Sequence, residues 1–372
     1  MNRKDQDNQG CNHPHATRPA FRRIFKLFVG MRLMGALILV LLTCPTVFAA
    51  MYVTGYDSGS GNPSIFVFND TDNGNVAPQR EITGALTGLS GPEGIFVTSA
   101  NIFVANSGND SITVYNVGDN GNVAPQQTIS GGNTGLNQPY GIFANGTNIF
   151  VANWTGNNIT VYNLADTGNA NPQRTISGGL TGLSRPSGIL GNATNLFVVN
   201  STGDSITVYN LADNGNPTPQ RTIFGGLTGL NGPFGIFVNG TNIFVANWTG
   251  NSITVYNLAD NGNAIPQKTI TGGLTGLTTP YGVFANGTNI FAANPNGDNV
   301  TVYKQTDNGN VAPQRTISGA NTRITTPSGI FLYTPPPPGP AIPTLNEWAM
   351  IIFTLLLAAA GMALIRKQRN MV

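Results

Sequence analysis

Between residues 50 and 340 the chain has no cysteine and no histidine; Cys11, Cys44, His13 and His15 all precede that stretch. A disulfide framework is therefore excluded from the main body of the chain. Cys–His and Ser–His–Asp catalysis are excluded with it, as are zinc or iron sites that rely on histidine. Charge is equally scarce. Residues 51–340 carry 8 basic against 13 acidic side chains, a net of −5, so the formal +2 of the whole chain comes from its two ends. A basic face for nucleic acid is not available.

What the chain has in quantity is a period. The aromatic that closes one apolar run recurs as Phe68, Tyr115, Tyr162, Tyr209, Tyr256 and Tyr303. The proline of a Pro-Gln pair recurs as Pro78, Pro125, Pro172, Pro219, Pro266 and Pro313. A Pro-x-Gly recurs at Pro92, Pro139, Pro186, Pro233, Pro280 and Pro327. Every step is 47 residues, and a period of that size means a solenoid, a propeller or an array.

One unit predicts four short strands. Strand A is 235–238, B is 242–246, C is 252–256 and D is 266–270, with Asn-Gly turns after A and after C. Asn-Gly between β-branched and aromatic runs is a strong hairpin signal, because both residues tolerate positive φ. Ile236 and Val238 point to one face of strand A and Phe237 to the other, so both faces are apolar and each sheet needs a cover on both sides. Six four-stranded sheets around an axis supply that cover, which gives an all-β, six-bladed β-propeller. A β-helix fits less well, since its coils are shorter and lack three hairpin turns per repeat. The chain enters at a strand B (residues 51–54) and leaves after a strand A (329–332). The last strand is thus expected to complete the first blade and remove an open edge.

The Pro-x-Gly-Ile-Phe, Ile-Phe-Val-Ala-Asn and Ser-Ile-Thr-Val-Tyr-Asn segments resemble bacterial NHL-type repeats, and Tyr52-Val-Thr54 resembles YVTN-type repeats. That resemblance implies the propeller fold, which hosts binding proteins and enzymes alike.

Both ends read as targeting segments. Arg22, Arg23, Lys26 and Arg32 precede an apolar run from Met34 to Leu42, and Val47-Phe48-Ala49 offers a signal-peptidase site. Residues 1–49 are expected to be a secretory leader cleaved after Ala49. Residues 50–334 form the propeller, and 335–341 are a proline-rich, extended linker. The apolar run from Trp348 to Ile365 is 18 residues, the lower limit for a transmembrane helix, and Arg366, Lys367 and Arg369 follow it. Ile342, Pro343, Thr344, Leu345 and Trp348, with that helix and basic tail, resemble the IPTL-CTERM sorting signal. Ala349 stands where a glycine is usual. The resemblance implies an exosortase-type enzyme as a partner, membrane insertion of the precursor before processing, and release to the outer surface or the medium.

Asp72, Asp119, Asp166, Asp213, Asp260 and Asp307 recur just before Gly-Asn. They are read as turn residues, because the further acidic ligand of a calcium loop is missing. Arg80, Arg174, Arg221, Lys268 and Arg315 follow Pro-Gln and are expected to make surface ion pairs. Propeller geometry places the D–A and B–C loops on one face, where the repeats differ. The residue inside Pro-x-Gly is Glu93, Tyr140, Ser187, Phe234, Tyr281 and Ser328; the B–C loops add Asn106, Asn153, Trp154, Asn200, Asn247, Trp248 and Asn294. Aromatic and amide groups around one carboxylate suit carbohydrate or a protein loop. The expected function is a non-catalytic binding or matrix module without cofactor or metal. The alternative, implied by resemblance to gluconolactonase-type propellers, is a metal-dependent lactonase with Glu93 as a ligand.

Overall fold

The computed structural model describes residues 49–334 and 345–370. The leader up to residue 48 and the linker with Ile342, Pro343 and Thr344 lie outside the described residues. Five sheets have four strands each, and a sixth joins the two ends of the propeller. In the unit read above, strand A is Pro233–Val238, B is Asn242–Asn247, C is Ser252–Asn257 and D is Lys268–Thr271. All pairings within it are antiparallel. The innermost strands touch in a circle, each on the next and Ile330–Tyr333 on Pro92–Val97.

The apolar cores lie between sheets. One, for example, joins Phe103, Ile112 and Val114 of one blade to Ile142, Ile149 and Tyr162 of the next. Both faces of a strand are thereby buried, as the double-sided apolar pattern requires. The tyrosine that ends strand C is fully buried in five blades, and its hydroxyl donates to a loop carbonyl, as from Tyr115 to Thr87 at 2.5 Å and from Tyr256 to Thr228 at 2.6 Å. The first blade has Phe68 there and needs no such partner.

The turn after strand C does more than reverse the chain. It runs along the outer edge of the preceding blade's strand D, and Gly121 bridges Ile82 in parallel register. Each residue of Asp119-Asn-Gly-Asn122 has its own task. Asp119 accepts from the Asn116 amide and closes its own turn. Asn120 Oδ1 accepts from the Glu81 amide, Gly121 N donates to the Glu81 carbonyl, and Asn122 Oδ1 accepts from the Leu86 amide. The edge of strand D is thus capped by its neighbour. The same bridge recurs six times, and Gly74 on Ile317 carries it across the join between the last blade and the first.

The cations after Pro-Gln belong to this clasp, which corrects the surface ion-pair reading. Arg80 donates to the carbonyls of Val117 and Asp119, Arg174 to those of Leu211 and Asp213, and Arg315 to those of Asp70 and Asp72. Lys268 reaches the Gln305 carbonyl in the same way. A guanidinium in front of two carbonyls gains charge-assisted hydrogen bonds without needing a carboxylate.

Closure follows the expected route. Residues 330–333 pair with 50–53, with Met51 opposite Leu332. Two further strand residues, Ile324 and Thr325, pair with Asp57 and Tyr56. A latch the sequence reading did not foresee lies beside them. Arg323 places two nitrogens on Asp57 at 2.9 and 3.0 Å and a third on Glu81 at 2.6 Å. Arg323 has φ 61°, where the other repeats have glycine at Gly88, Gly135, Gly182, Gly229 and Gly276. The left-handed backbone that glycine supplies elsewhere is kept here at some strain, offset by the ion pairs.

The C-terminal helix α1 (Leu345–Arg369) has 25 residues, about 37 Å at a rise of ~1.5 Å. Among the described residues no helix is long and apolar enough to cross a membrane, so the spanning segment expected over 348–365 is corrected. Within the helix the Thr354 hydroxyl donates to the Met350 carbonyl, and the last turn is basic.

The hub explains the invariant glycine of Pro-x-Gly. A Cβ on Gly235 would lie 2.1 Å from the Tyr281 carbonyl oxygen, and one on Gly329 would lie 2.3 Å from that of Glu93. Gly235→Ala is therefore expected to cost about 1–3 kcal/mol by overpacking. Gly240→Ala, with open space around it, is expected to stay within about 0.5 kcal/mol of the parent. Equal unfolding midpoints for the two variants in urea would show that the blades do not approach this closely.

Candidate functional site

The six residues inside Pro-x-Gly meet around the axis. Glu93, Tyr140, Ser187, Phe234, Tyr281 and Ser328 line one cavity of about 80 Å3, together with the adjoining glycines and Ile95, Ile142, Ile189, Ile236, Val283 and Ile330. Local backbone explains why they turn toward it: the register slips at Glu93, Tyr140, Ser187 and Phe234, each a bulge at the start of strand A. Bulges re-aim side chains in this way. The cavity has room for several waters and is small for a sugar ring.

Its two sides differ in chemistry. Phe234 stacks on Tyr281 at 4.1 Å and meets Tyr140 edge-on at 5.4 Å, across the small Ser187. Trp154 adds to this side at 5.0 Å from Tyr140 and 5.5 Å from Phe234, and Trp248 stands edge-on to Tyr281 at 6.0 Å. Trp248 is 38% exposed, so the collar reaches the surface. Arg185 lies over Trp154, 5.6 Å from the ring centroid.

The opposite side is polar and centred on Glu93. Its Oε2 is buried and has no hydrogen-bond partner. Burial pushes its carboxyl up to about 8, against smaller opposing contacts with Ser107 and Ser328. Burial and the Glu93 charge together raise the phenols of Tyr56, Tyr140 and Tyr281, so all three stay neutral beside it. Ser328 donates its proton to the Pro92 carbonyl at 2.7 Å, and Ser107 donates to that of Gly91 at 3.1 Å. Thr54 donates to the Glu93 carbonyl at 2.7 Å.

The five asparagines of the B–C loops do not join this site. Asn106, Asn153, Asn200, Asn247 and Asn294 are fully buried. In each, Oδ1 accepts from a loop amide, such as Ser90 N at 3.2 Å for Asn106, and Nδ2 donates to a strand C threonine, such as Thr113 at 3.0 Å. They tie the D–A loop to the sheet, and their amides face the blade interior. Identical spacing in every repeat was the signal for that structural task. The sequence reading missed Ser107, Tyr56 and Thr54, which come from the seam blade's strand B and from the loop beside Asn106.

Residues 340–369 match the model of the IPTL-CTERM motif. No curated protein matches the chain. Among solved structures, a chain from a nidogen/laminin complex is similar at 14% identity and a TM-score of 0.56, covering 77% of this chain and all of the other. Chains described as putative 6-phosphogluconolactonases from Bacteroides fragilis and Bacteroides uniformis are similar at 13% and 14% identity, each with a TM-score of 0.52. They cover 77% of this chain and 98% and 100% of their own length. At such identities the likeness is one of fold: the chain is a six-bladed, four-stranded β-propeller that carries a C-terminal IPTL-CTERM motif.

The state of Glu93 has a consequence for stability. Folded, it keeps its proton up to about 8; unfolded, it loses it near ~4.3. Between those values the folded chain binds more protons, so the Glu93 contribution to stability falls as pH rises through that window. Glu93→Gln cannot ionise. It is expected to match the parent's melting temperature near about pH 4 and to exceed it by several degrees at about pH 8.5. Parallel melting profiles across that range would show that Glu93 titrates as an ordinary surface acid.

Proposed function

We propose that this chain is an exported propeller, sorted to the outer surface through its C-terminal motif, that binds a protein segment at the aromatic collar. The observation that carries the reading is the contiguous set Tyr140, Trp154, Phe234, Tyr281 and Trp248 at one mouth of the axis, open to solvent at Trp248. Clustered aromatics with an exposed tryptophan are the usual anchors of recognition. A carbohydrate would also need amides to hold its hydroxyls, and the asparagines that were candidates for that task are spent inside the blades. That tilts the choice toward protein. One of the similar solved chains comes from a complex of two proteins, nidogen and laminin.

In the same reading residues 1–49 are a secretory leader, 50–334 the binding domain, 335–341 a spacer and 342–372 the sorting tag. An exosortase-type enzyme is the processing partner, and the mature product ends near residues 342–345. The lactonase alternative rests on likeness to two structures described as putative 6-phosphogluconolactonases. Its weakness is the donor set: among the described residues no three His, Cys, Asp or Glu side chains gather to hold a metal ion, while Ca2+ takes 6–8 oxygens, several of them from carboxylates.

Binding of the purified protein to cells of the producing organism tests the proposal. Protease treatment of those cells is expected to abolish binding, and Trp248→Ala to weaken it at least about tenfold, the loss expected of an anchor residue. The melting temperature should hold, because Trp248 lies at the surface. Binding removed by glycosidase but not by protease would move the ligand to carbohydrate. Undiminished binding of Trp248→Ala would remove the collar from the account.

A further inference from the structure

We propose that the axial cavity takes the ammonium of a lysine side chain, which enters through the aromatic collar and ends on Glu93. This names the group by which the protein partner of the preceding section would be held, and it rests on that reading.

The chemistry around Glu93 calls for a cationic donor. Oε2 is a buried acceptor without a partner. The Ser328 and Ser107 hydroxyls lie against this carboxyl, and each also has a backbone carbonyl to donate to, Pro92 and Gly91 respectively. A group with several protons and a positive charge suits this set better than a single hydroxyl, and a carboxylate would add only further acceptors. No cation of the chain fills the role among the described contacts. Arg80, Arg174, Arg221, Lys268 and Arg315 are held in the outer clasps, and Arg323 sits on Asp57 and Glu81.

The approach fits a long apolar stem with a charged tip. Tyr140, Phe234 and Tyr281 flank the cavity, and Trp154 and Trp248 continue the aromatic surface outward. Methylene groups pack on such rings, and the ring faces attract an ammonium. The cavity of about 80 Å3 has room for that head group with waters beside it. The net charge of −5 over residues 51–340 favours a cationic ligand from a distance.

Protonation gives the proposal its signature. With the cavity empty Glu93 holds its proton, and an incoming ammonium must displace it. The groups facing Glu93 are Tyr56, Tyr140 and Tyr281, whose phenols are raised and stay neutral, and the hydroxyls of Ser107 and Ser328. Arg185 stands at the rim, over the Trp154 ring. Affinity for the ammonium is therefore expected to rise about tenfold per pH unit and to level off above about pH 8, where Glu93 is already ionised.

The probe is Nα-acetyl-lysine methylamide, titrated by calorimetry into the full-length purified protein, with the norleucine analogue as the uncharged control. The lysine amide is expected to bind with the stated pH profile, the norleucine amide at least about tenfold more weakly, and Glu93→Gln to lose both the preference and the profile. A Glu93→Gln variant with undiminished affinity, or equal binding of the two amides, would overturn the proposal. Glucosamine bound in preference to the lysine amide would overturn it in favour of an amino sugar. Trp248→Ala, which removes the outer part of the collar, is expected to weaken both lysine-amide binding and binding to cells. Cell binding that survives without any lysine-amide binding would leave the collar standing and remove only the ammonium site.

Discussion

The structure depends on one repeated interaction, the turn of each blade closed over the outer strand of the blade before it. A four-stranded sheet with both faces apolar is unstable alone, and its outer strand also presents an unpaired edge. The Asp-Asn-Gly-Asn turn answers the second problem, and the inter-blade cores answer the first. Asn120 and Gly121 hold the Glu81 backbone, Asn122 holds Leu86, and the Arg80 guanidinium fixes the turn's own carbonyls. No blade caps itself. The set is complete only when the last strand D meets the first turn, through Gly74 on Ile317 and Arg315 on Asp70 and Asp72.

Much of the architecture was legible because a repeat multiplies weak signals. The 47-residue period, the Asn-Gly turns and the double-sided strands led to six blades, and the missing strand at each end led to the mode of closure. The clasp was harder to read. Asp119-Asn-Gly-Asn122 has the composition of any hairpin turn, and a turn that also bonds to a neighbour looks the same in one dimension. Likewise Arg80 or Arg174 on the surface of a chain suggests a carboxylate partner, and only the fold shows that two carbonyls stand in its reach. Arg323 did leave a trace, as the one repeat without glycine at its position. The helical tail shows the opposite failure: 18 apolar residues sufficed for a sequence argument, but among the described residues no helix is long and apolar enough to cross a membrane.

The candidate site divides along the same line. Variation between repeats singled out Glu93, Tyr140, Ser187, Phe234, Tyr281 and Ser328, and these six line one cavity at the axis. Invariance should have removed Asn106 and its four counterparts, since a residue needed in every blade serves the blade. They are buried and hold loops in place. Glycine at the hub and bulges at the start of strand A bring the variable side chains together, so the scaffold is constant and the mouth is free to differ. The outcome is one aromatic half and one half built on a carboxyl that no cation among the described residues pairs with.

The claim that carries most of this is that the ring is closed by the same clasp at all six joins. Hydrogen exchange of the six turn glycine amides tests it directly, because each donates to a strand D carbonyl of the preceding blade. The account predicts similar, strong protection for Gly74, Gly121, Gly168, Gly215, Gly262 and Gly309, since a closed ring opens only as a whole. Fast exchange at Gly74 with slow exchange at the other five would mean that the ring is open at the join of its two ends, and would contradict it.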